Sequence, residues 1–306
     1  MQNQKYNSST ISSQGIKKEE IPIENQFHLF QPWKVFIFEA SLFCLTLVLG
    51  IATAIKLNNF LKIQEISLPS FSFLQFIFYF LLTTLFILFF SFFGKKFKKG
   101  RKTIFKAIFI FAVMWGGLIS LSLWIGDIFA LLFIIILIFG WLKKPSILLH
   151  DLAIILGLAG IGSSLGLRIS PQLVVLLLIF FSIYDFIAVY KTKHMIKMAK
   201  EMIETGAILA LIVPQKTSDF LADLKEVRLG GRFLILGGGD IAFPLLFCAS
   251  LVPQGVSDSL IVGIFSLFGL FAGYLFFISQ KTRQPIPALP PIAIFSIIGF
   301  LITKLI

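Results

Sequence analysis

The chain has 306 residues, of which 57% are hydrophobic, 15% aromatic and only 14% charged, with a mean hydropathy of +0.94. Soluble domains carry roughly 25% charged residues, so this composition excludes a water-soluble globular protein and points to a polytopic protein of the lipid bilayer. The net charge of +12 does not indicate nucleic acid, because the basic residues lie between apolar runs, as positive-inside topology requires.

Residues 1–32 are rich in Ser, Asn and Gln and are expected to form a disordered cytoplasmic tail. They lack the charged start, short apolar core and small-residue cleavage site of a removable signal peptide. Nine apolar runs follow, at 33–54, 71–93, 104–121, 123–141, 146–165, 171–190, 233–252, 259–279 and 287–305. Each is expected to be a transmembrane helix, giving an all-α fold of nine spans. Spans three and four are nearly continuous, and Gly126 and Asp127 mark the turn between them. The organisation expected is a tail (1–32), spans one to six (33–192), a cytoplasmic loop (193–231) and spans seven to nine (232–306).

Orientation follows from the basic residues. With the N-terminus in the cytoplasm, 23 of the 27 Lys and Arg fall inside, and only Lys56, Lys62, Arg168 and Lys304 fall outside. The C-terminus is then on the outer side. Cys44 and Cys248 lie in apolar runs and form neither a metal spacing nor a disulfide framework.

This topology sorts the membrane acids by depth. Glu39, Asp127 and Asp151 fall near span ends, where a carboxylate reaches water or headgroups, and His150 shares that interfacial reading. Asp185 and Asp240 differ. Asp185 lies six residues before Lys191 on an inward span, and Asp240 eight residues after Arg232 on the next, outward span. At about 1.5 Å per residue both sit roughly 9–12 Å inside the cytoplasmic boundary. A bare acid there costs on the order of 3 kcal/mol, so both are functional candidates. Gly237, Gly238 and Gly239 remove side chains just before Asp240 and admit another backbone or a substrate.

Two carboxyls close together in low dielectric share one proton. Such a pair can run aspartic-protease chemistry, one group drawing a proton from water while the other protonates the scissile carbonyl. It can equally serve as a proton or cation path in a transporter. The acids alone leave both open.

Three short motifs surround them: Tyr184-Asp185, the GxGD of Gly237-Gly238-Gly239-Asp240, and Pro287-Ala288-Leu289 at the start of the last span. In this order, on spans six, seven and nine, they resemble the presenilin and signal peptide peptidase family of intramembrane aspartyl proteases. YDFIAVYKTKHM is similar to the compact prokaryotic and archaeal presenilin-type members. The resemblance implies that Asp185 and Asp240 are the catalytic dyad and that Tyr184, Gly237 and Gly239 support it. It also implies that Pro287, Ala288 and Leu289 shape the site and bind substrate. Substrates would be transmembrane polypeptides, and neither cofactor nor metal is required. The N-inside direction matches presenilins rather than signal peptide peptidases, whose orientation is inverted. Gly238 departs from the pattern, since presenilins often carry a larger residue there; an added glycine could loosen the site or alter substrate choice.

Other chemistries lack their residues. There is no HExxH for a zinc protease, and His28, His150 and His194 are scattered. Gly160-Ile161-Gly162-Ser163-Ser164 lacks the GxSG of rhomboid serine proteases and reads as helix packing. The glycine run 237–239 lacks the lysine of a phosphate loop, and the basic run 95–106 reads as a topology signal that could also meet lipid heads. A proton-coupled transporter would show internal repeats with broken helices, and the first four spans do not repeat the last four. A protease-like fold that binds membrane segments without cleaving them is the third alternative, and retention of both acids argues against it.

In the loop between the acids, residues 194–200 suit an amphipathic helix prolonging span six along the membrane surface. Residues 207–213, between Gly206 and Pro214, are too few to span a bilayer and suit a strand. Residues 232–236 form a second β-prone run abutting the glycines. Either these runs are a surface helix and a helical start to span seven, or they are extended and pair with a substrate by strand addition.

Overall fold

The computed structural model describes residues 32–66, 69, 72–75, 77–79, 81, 82, 85, 98–192, 194–228, 231–280 and 285–305. Most of the expected tail and of the second span lie outside these residues. The described chain is largely helical: α1 (Pro32–Ile63), α2 (Lys98–Ile125), α3 (Asp127–Lys143), α4 (Ile147–Gly166), α5 (Pro171–Tyr190), α6 (His194–Thr205), α7 (Gly238–Leu251), α8 (Val256–Ser279) and α9 (Leu289–Thr303). Two strands, β1 (Ala210–Pro214) and β2 (Phe233–Gly237), stand between α6 and α7.

Local chemistry sets the boundaries. Gly126, at φ +81°, breaks α2 from α3, in a backbone region that glycine enters without steric cost. Ser146 and Ser170 cap α4 and α5, each side chain accepting from the N–H three residues on at 3.4 Å. Pro171 follows the second cap, where its missing N–H removes a donor that would have no partner in the helix.

Among the described residues, five helices are long and apolar enough to cross a bilayer: Pro32–Ile63, Thr103–Ile125, Ile147–Gly166, Pro171–Tyr190 and Val256–Ser279. The expected count of nine is therefore not reached at full length. The clearest correction falls on span seven, expected over 233–252. Its first residues form β2, and the helix begins only at Gly238. At 14 residues α7 is about 21 Å long, short of the roughly 30 Å hydrocarbon core. The described chain is otherwise mostly helical, as expected, and this hairpin is the exception.

α4 is the hub of one side of the bundle, packing against α1, α2, α3 and α7. Its contact with α2 depends on bare backbone: a Cβ at Gly160 would lie 1.8 Å from the Gly116 carbonyl oxygen. The stretch 160–164 is thus a packing surface, as its composition suggested. On the other side α8 and α9 pack together, joined by a buried 2.8 Å hydrogen bond between Ser266 Oγ and Ser296 Oγ. Such bonds contribute about 0.6 kcal/mol in membrane proteins. α5 leans on α7 and α9, which brings the last three motif-bearing elements together.

The hairpin is antiparallel, pairing Ala210 with Gly237, Ile212 with Ile235 and Pro214 with Phe233. Its long connection carries two 3₁₀ turns, Thr217–Leu221 and Leu224–Glu226, and Arg232 pairs with Glu226. The connection is tied to the start of α4: Leu224 N–H donates to Pro145 O at 2.8 Å and Ile147 N–H to Ala222 O at 3.1 Å. Leu211, Ile212 and Val213 are fully buried, and Leu211 and Ile212 join the same apolar core as α2, α4 and α7. The two β-prone runs are therefore strand over 210–213 and 233–236, and 194–205 is a separate amphipathic helix after a turn at 191–192.

Candidate active site

Asp240 is the third residue of α7, and Gly237 is the cap. From this position its carboxyl faces back towards the Gly237 backbone N–H, as the acid of a capping box does. Free N–H groups of the first helical turn give a partial positive charge that suits an acid there. The expected depth, counted at helical rise from Arg232, is replaced by a simpler relation: the acid stands where strand becomes helix.

Asp185 lies on the buried face of α5 and is 5% exposed; Asp240 is 7% exposed. The two carboxyls are close enough for their charges to act on one another. The Leu289 backbone N–H faces the Asp185 carboxyl, yet both Asp185 oxygens are shielded from water and have no partner of hydrogen-bond geometry among the described residues. Leu289 opens α9, and Pro290 and Pro291 follow. Two of the four unpaired donors of that helix start are thus missing, which leaves the Leu289 N–H as the leading one.

The other motif residues divide. Pro287 and Leu289 are buried and Ala288 is the half-buried cap of α9. Gly238 donates its N–H to Leu209 O at 3.0 Å, and a Cβ there would lie 2.8 Å from the same oxygen. This glycine tightens the junction with β1 rather than loosening it. Gly239 has room, since a Cβ would meet only Phe243 at 3.9 Å. Tyr184 is 54% exposed, its side chain turned from the buried face that carries Asp185.

Three residues expected at the interface are deeply buried: Glu39 at 5%, His150 at 0% and Asp151 at 1% exposed. The hairpin covers that end of α1 and α4, so nearness to a span end does not mean nearness to water. Glu39 interacts electrostatically with Asp240, and its Oε2 has no partner among the described residues. His150 and Asp151 bond to β1, at Ala210 O and Ile212 N–H. Asp127, by contrast, is exposed as expected. The available signal for the buried three was their place in apolar runs; depth counting overrode it because the hairpin's cover was not visible.

A family model for signal-peptide peptidase and presenilin aspartyl proteases matches residues 40–306. The chain belongs to this family. As a member of this protease family it is an enzyme, an intramembrane aspartyl protease, and an integral membrane protein. Two solved structures, each of a presenilin family intramembrane aspartate protease, share the protease's fold. One, in a C222 crystal form, has a TM-score of 0.59 at 20% identity, covering 88% of this chain and 97% of its own. The other, in a P2 form, has a TM-score of 0.57 at 22% identity, covering 86% and 96%. Comparison of the protease with curated protein sequences gives no match.

Proposed function

We propose that the chain is an endopeptidase that cleaves transmembrane segments of single-span proteins or signal peptides, with Asp185 and Asp240 as its catalytic pair. The observation that carries this is their arrangement: two buried, mutually interacting carboxyls on packed helices, one of them joined to the end of a β-strand. The pair shares one proton. The ionised carboxylate takes a proton from water as the water oxygen bonds to the scissile carbonyl carbon, and the other carboxyl gives its proton to the carbonyl oxygen. Collapse of the tetrahedral intermediate breaks the C–N bond, and the amine leaves with a proton from the pair. The Leu289 N–H, facing Asp185, orients that carboxyl, and Pro287 and Ala288 place the α9 start beside it.

The substrate is read as adding to β2 as a third strand. A helical peptide bond is shielded by its own turns; an extended one lies open beside Asp240. The basic-residue asymmetry supports an N-terminus in the cytoplasm, with the hairpin and the cleavage site on that side. The test is cleavage of a model single-span substrate by the purified chain in lipid, comparing wild type with Asp240→Ala. Equal cleavage by the two would remove the proposal's foundation.

A further inference from the structure

We infer that His150 and Asp151 form a clasp that closes the outer edge of β1, so that β2 offers the hairpin's open edge to an incoming strand. The choice of edge rests on the proposed function; the clasp rests on the geometry of α4 and β1.

The phase of the hairpin ladder is fixed by the Gly238 N–H to Leu209 O bond of 3.0 Å. Hydrogen-bonded and non-bonded pairs alternate along an antiparallel ladder. Leu209, Leu211 and Val213 therefore turn their main-chain groups to β2, while Ala210, Ile212 and Pro214 turn theirs away. The groups turned away are the ones α4 meets. His150 Nε2 lies 3.2 Å from Ala210 O and Asp151 Oδ1 accepts from Ile212 N–H at 2.9 Å. A carbonyl only accepts, so Nε2 carries the proton. One donor and one acceptor, set two residues apart along the strand, are what the edge of a neighbouring strand would present. The next outward residue is Pro214, which has no N–H to offer.

The clasp is rigidly held. His150 stacks on Phe109 with ring centroids 5.3 Å apart and planes 7° from parallel, and Phe109 stacks in turn on Trp141 at 4.5 Å. No strand can lie between α4 and β1 while these contacts stand. On β2 the outward residues are Phe233, Ile235 and Gly237. The Gly237 N–H faces the Asp240 carboxyl, and Ile235 makes no further main-chain bond among the described residues. A strand on the wrong edge would lie across the width of the hairpin, roughly 14 Å from one on the right edge at about 4.8 Å per strand. That distance puts its peptide bonds out of reach of the pair. His150 and Asp151 are positioning residues that act through β1.

The test combines hydrogen exchange across residues 207–214 of the full chain in lipid with cleavage of a single-span substrate, products weighed by mass spectrometry. Asp151→Leu removes the acceptor, Asp151→Asn keeps one, and His150→Phe keeps the ring but not the donor. Asp151→Leu and His150→Phe are expected to speed exchange of this segment about tenfold, the effect of one lost hydrogen bond. They should also lower kcat more than they raise KM and scatter the cleavage positions. Asp151→Asn should restore protection and a single set of products. Unchanged exchange in both Asp151→Leu and His150→Phe would overturn the clasp. Faster exchange with wild-type rate and products would overturn its role in choosing the edge. If Asp151→Leu fails to fold, His150→Phe and Asp151→Asn decide between the same outcomes. A wild-type chain that cleaves nothing would refute the proposed function alone, since exchange still decides the clasp.

Discussion

The Asp240 carboxyl faces the backbone N–H of Gly237, the last residue of β2. The outward edge of the strand therefore ends on the carboxyl itself. Any displacement of β2 displaces the acid, and any strand paired to that edge runs towards it. The hairpin and the acid are one mechanical unit.

The first prediction concerns the pair. Asp185→Ala and Asp240→Ala are each expected to abolish proteolysis, and the wild-type rate should follow a bell-shaped dependence on pH. Both variants should fold, because removing a buried carboxyl also removes its desolvation cost. Cleavage rates and thermal unfolding of the purified proteins check this. Substantial turnover by either variant would exclude that residue from the chemistry.

A second prediction concerns the start of α9. Pro287→Ala frees the chain just before the half-buried cap Ala288, and Ala288→Trp places bulk beside the Leu289 N–H that faces Asp185. Both should reduce kcat about tenfold or more, since small misplacements of a positioned group are costly. Expression and topology should remain those of wild type. Unaltered kinetics in both would reduce the motif to an ordinary helix start with proline near its first turn.

Much of this was legible in the sequence, for reasons that differ by residue. Asp185 and Asp240 stood out because carboxyls are rare in apolar runs, and Gly206 and Pro214 bracketed the run that becomes β1. The extent of α7 was not legible, because Phe233–Gly237 is apolar enough to read as membrane helix and its pairing partner, Ala210–Pro214, lies about twenty residues or more back along the chain. Glu39, His150 and Asp151 were misplaced for the same reason. Their burial is a property of the hairpin lying over the helix ends, and no local pattern in α1 or α4 records it.

A third prediction follows from Glu39. Its carboxyl is buried, and Oε2 has no partner among the described residues. An unsatisfied buried polar group costs about 1–3 kcal/mol, so Glu39→Met should raise the unfolding temperature in lipid by a few degrees. The same variant removes a carboxyl whose ionisation is coupled to that of Asp240, and the pH–rate profile should move with it. Asp127→Asn, at an exposed position, should change neither. A lower unfolding temperature for Glu39→Met would mean that the carboxyl is stabilised where it stands.

The last prediction separates the two faces of β2. Leu234 pairs with Val213 and turns its N–H inward, whereas Ile235 turns its N–H to the open edge, as the ladder's phase requires. Proline at 234 would break the hairpin; proline at 235 removes a donor only from the edge. Leu234→Pro should therefore impair cleavage of every substrate, since it displaces the strand to which Asp240 is joined. Ile235→Pro should spare a short, already extended peptide and cut cleavage of a helical transmembrane substrate far more. The helical substrate must unwind, and its strand bonds to β2 offset the helical bonds it gives up; the short peptide has none to lose. Cleavage assays on both substrates, with exchange across 233–237 as a check on the hairpin, make the comparison. Equal losses on both substrates for Ile235→Pro, with the hairpin intact, would count against strand addition.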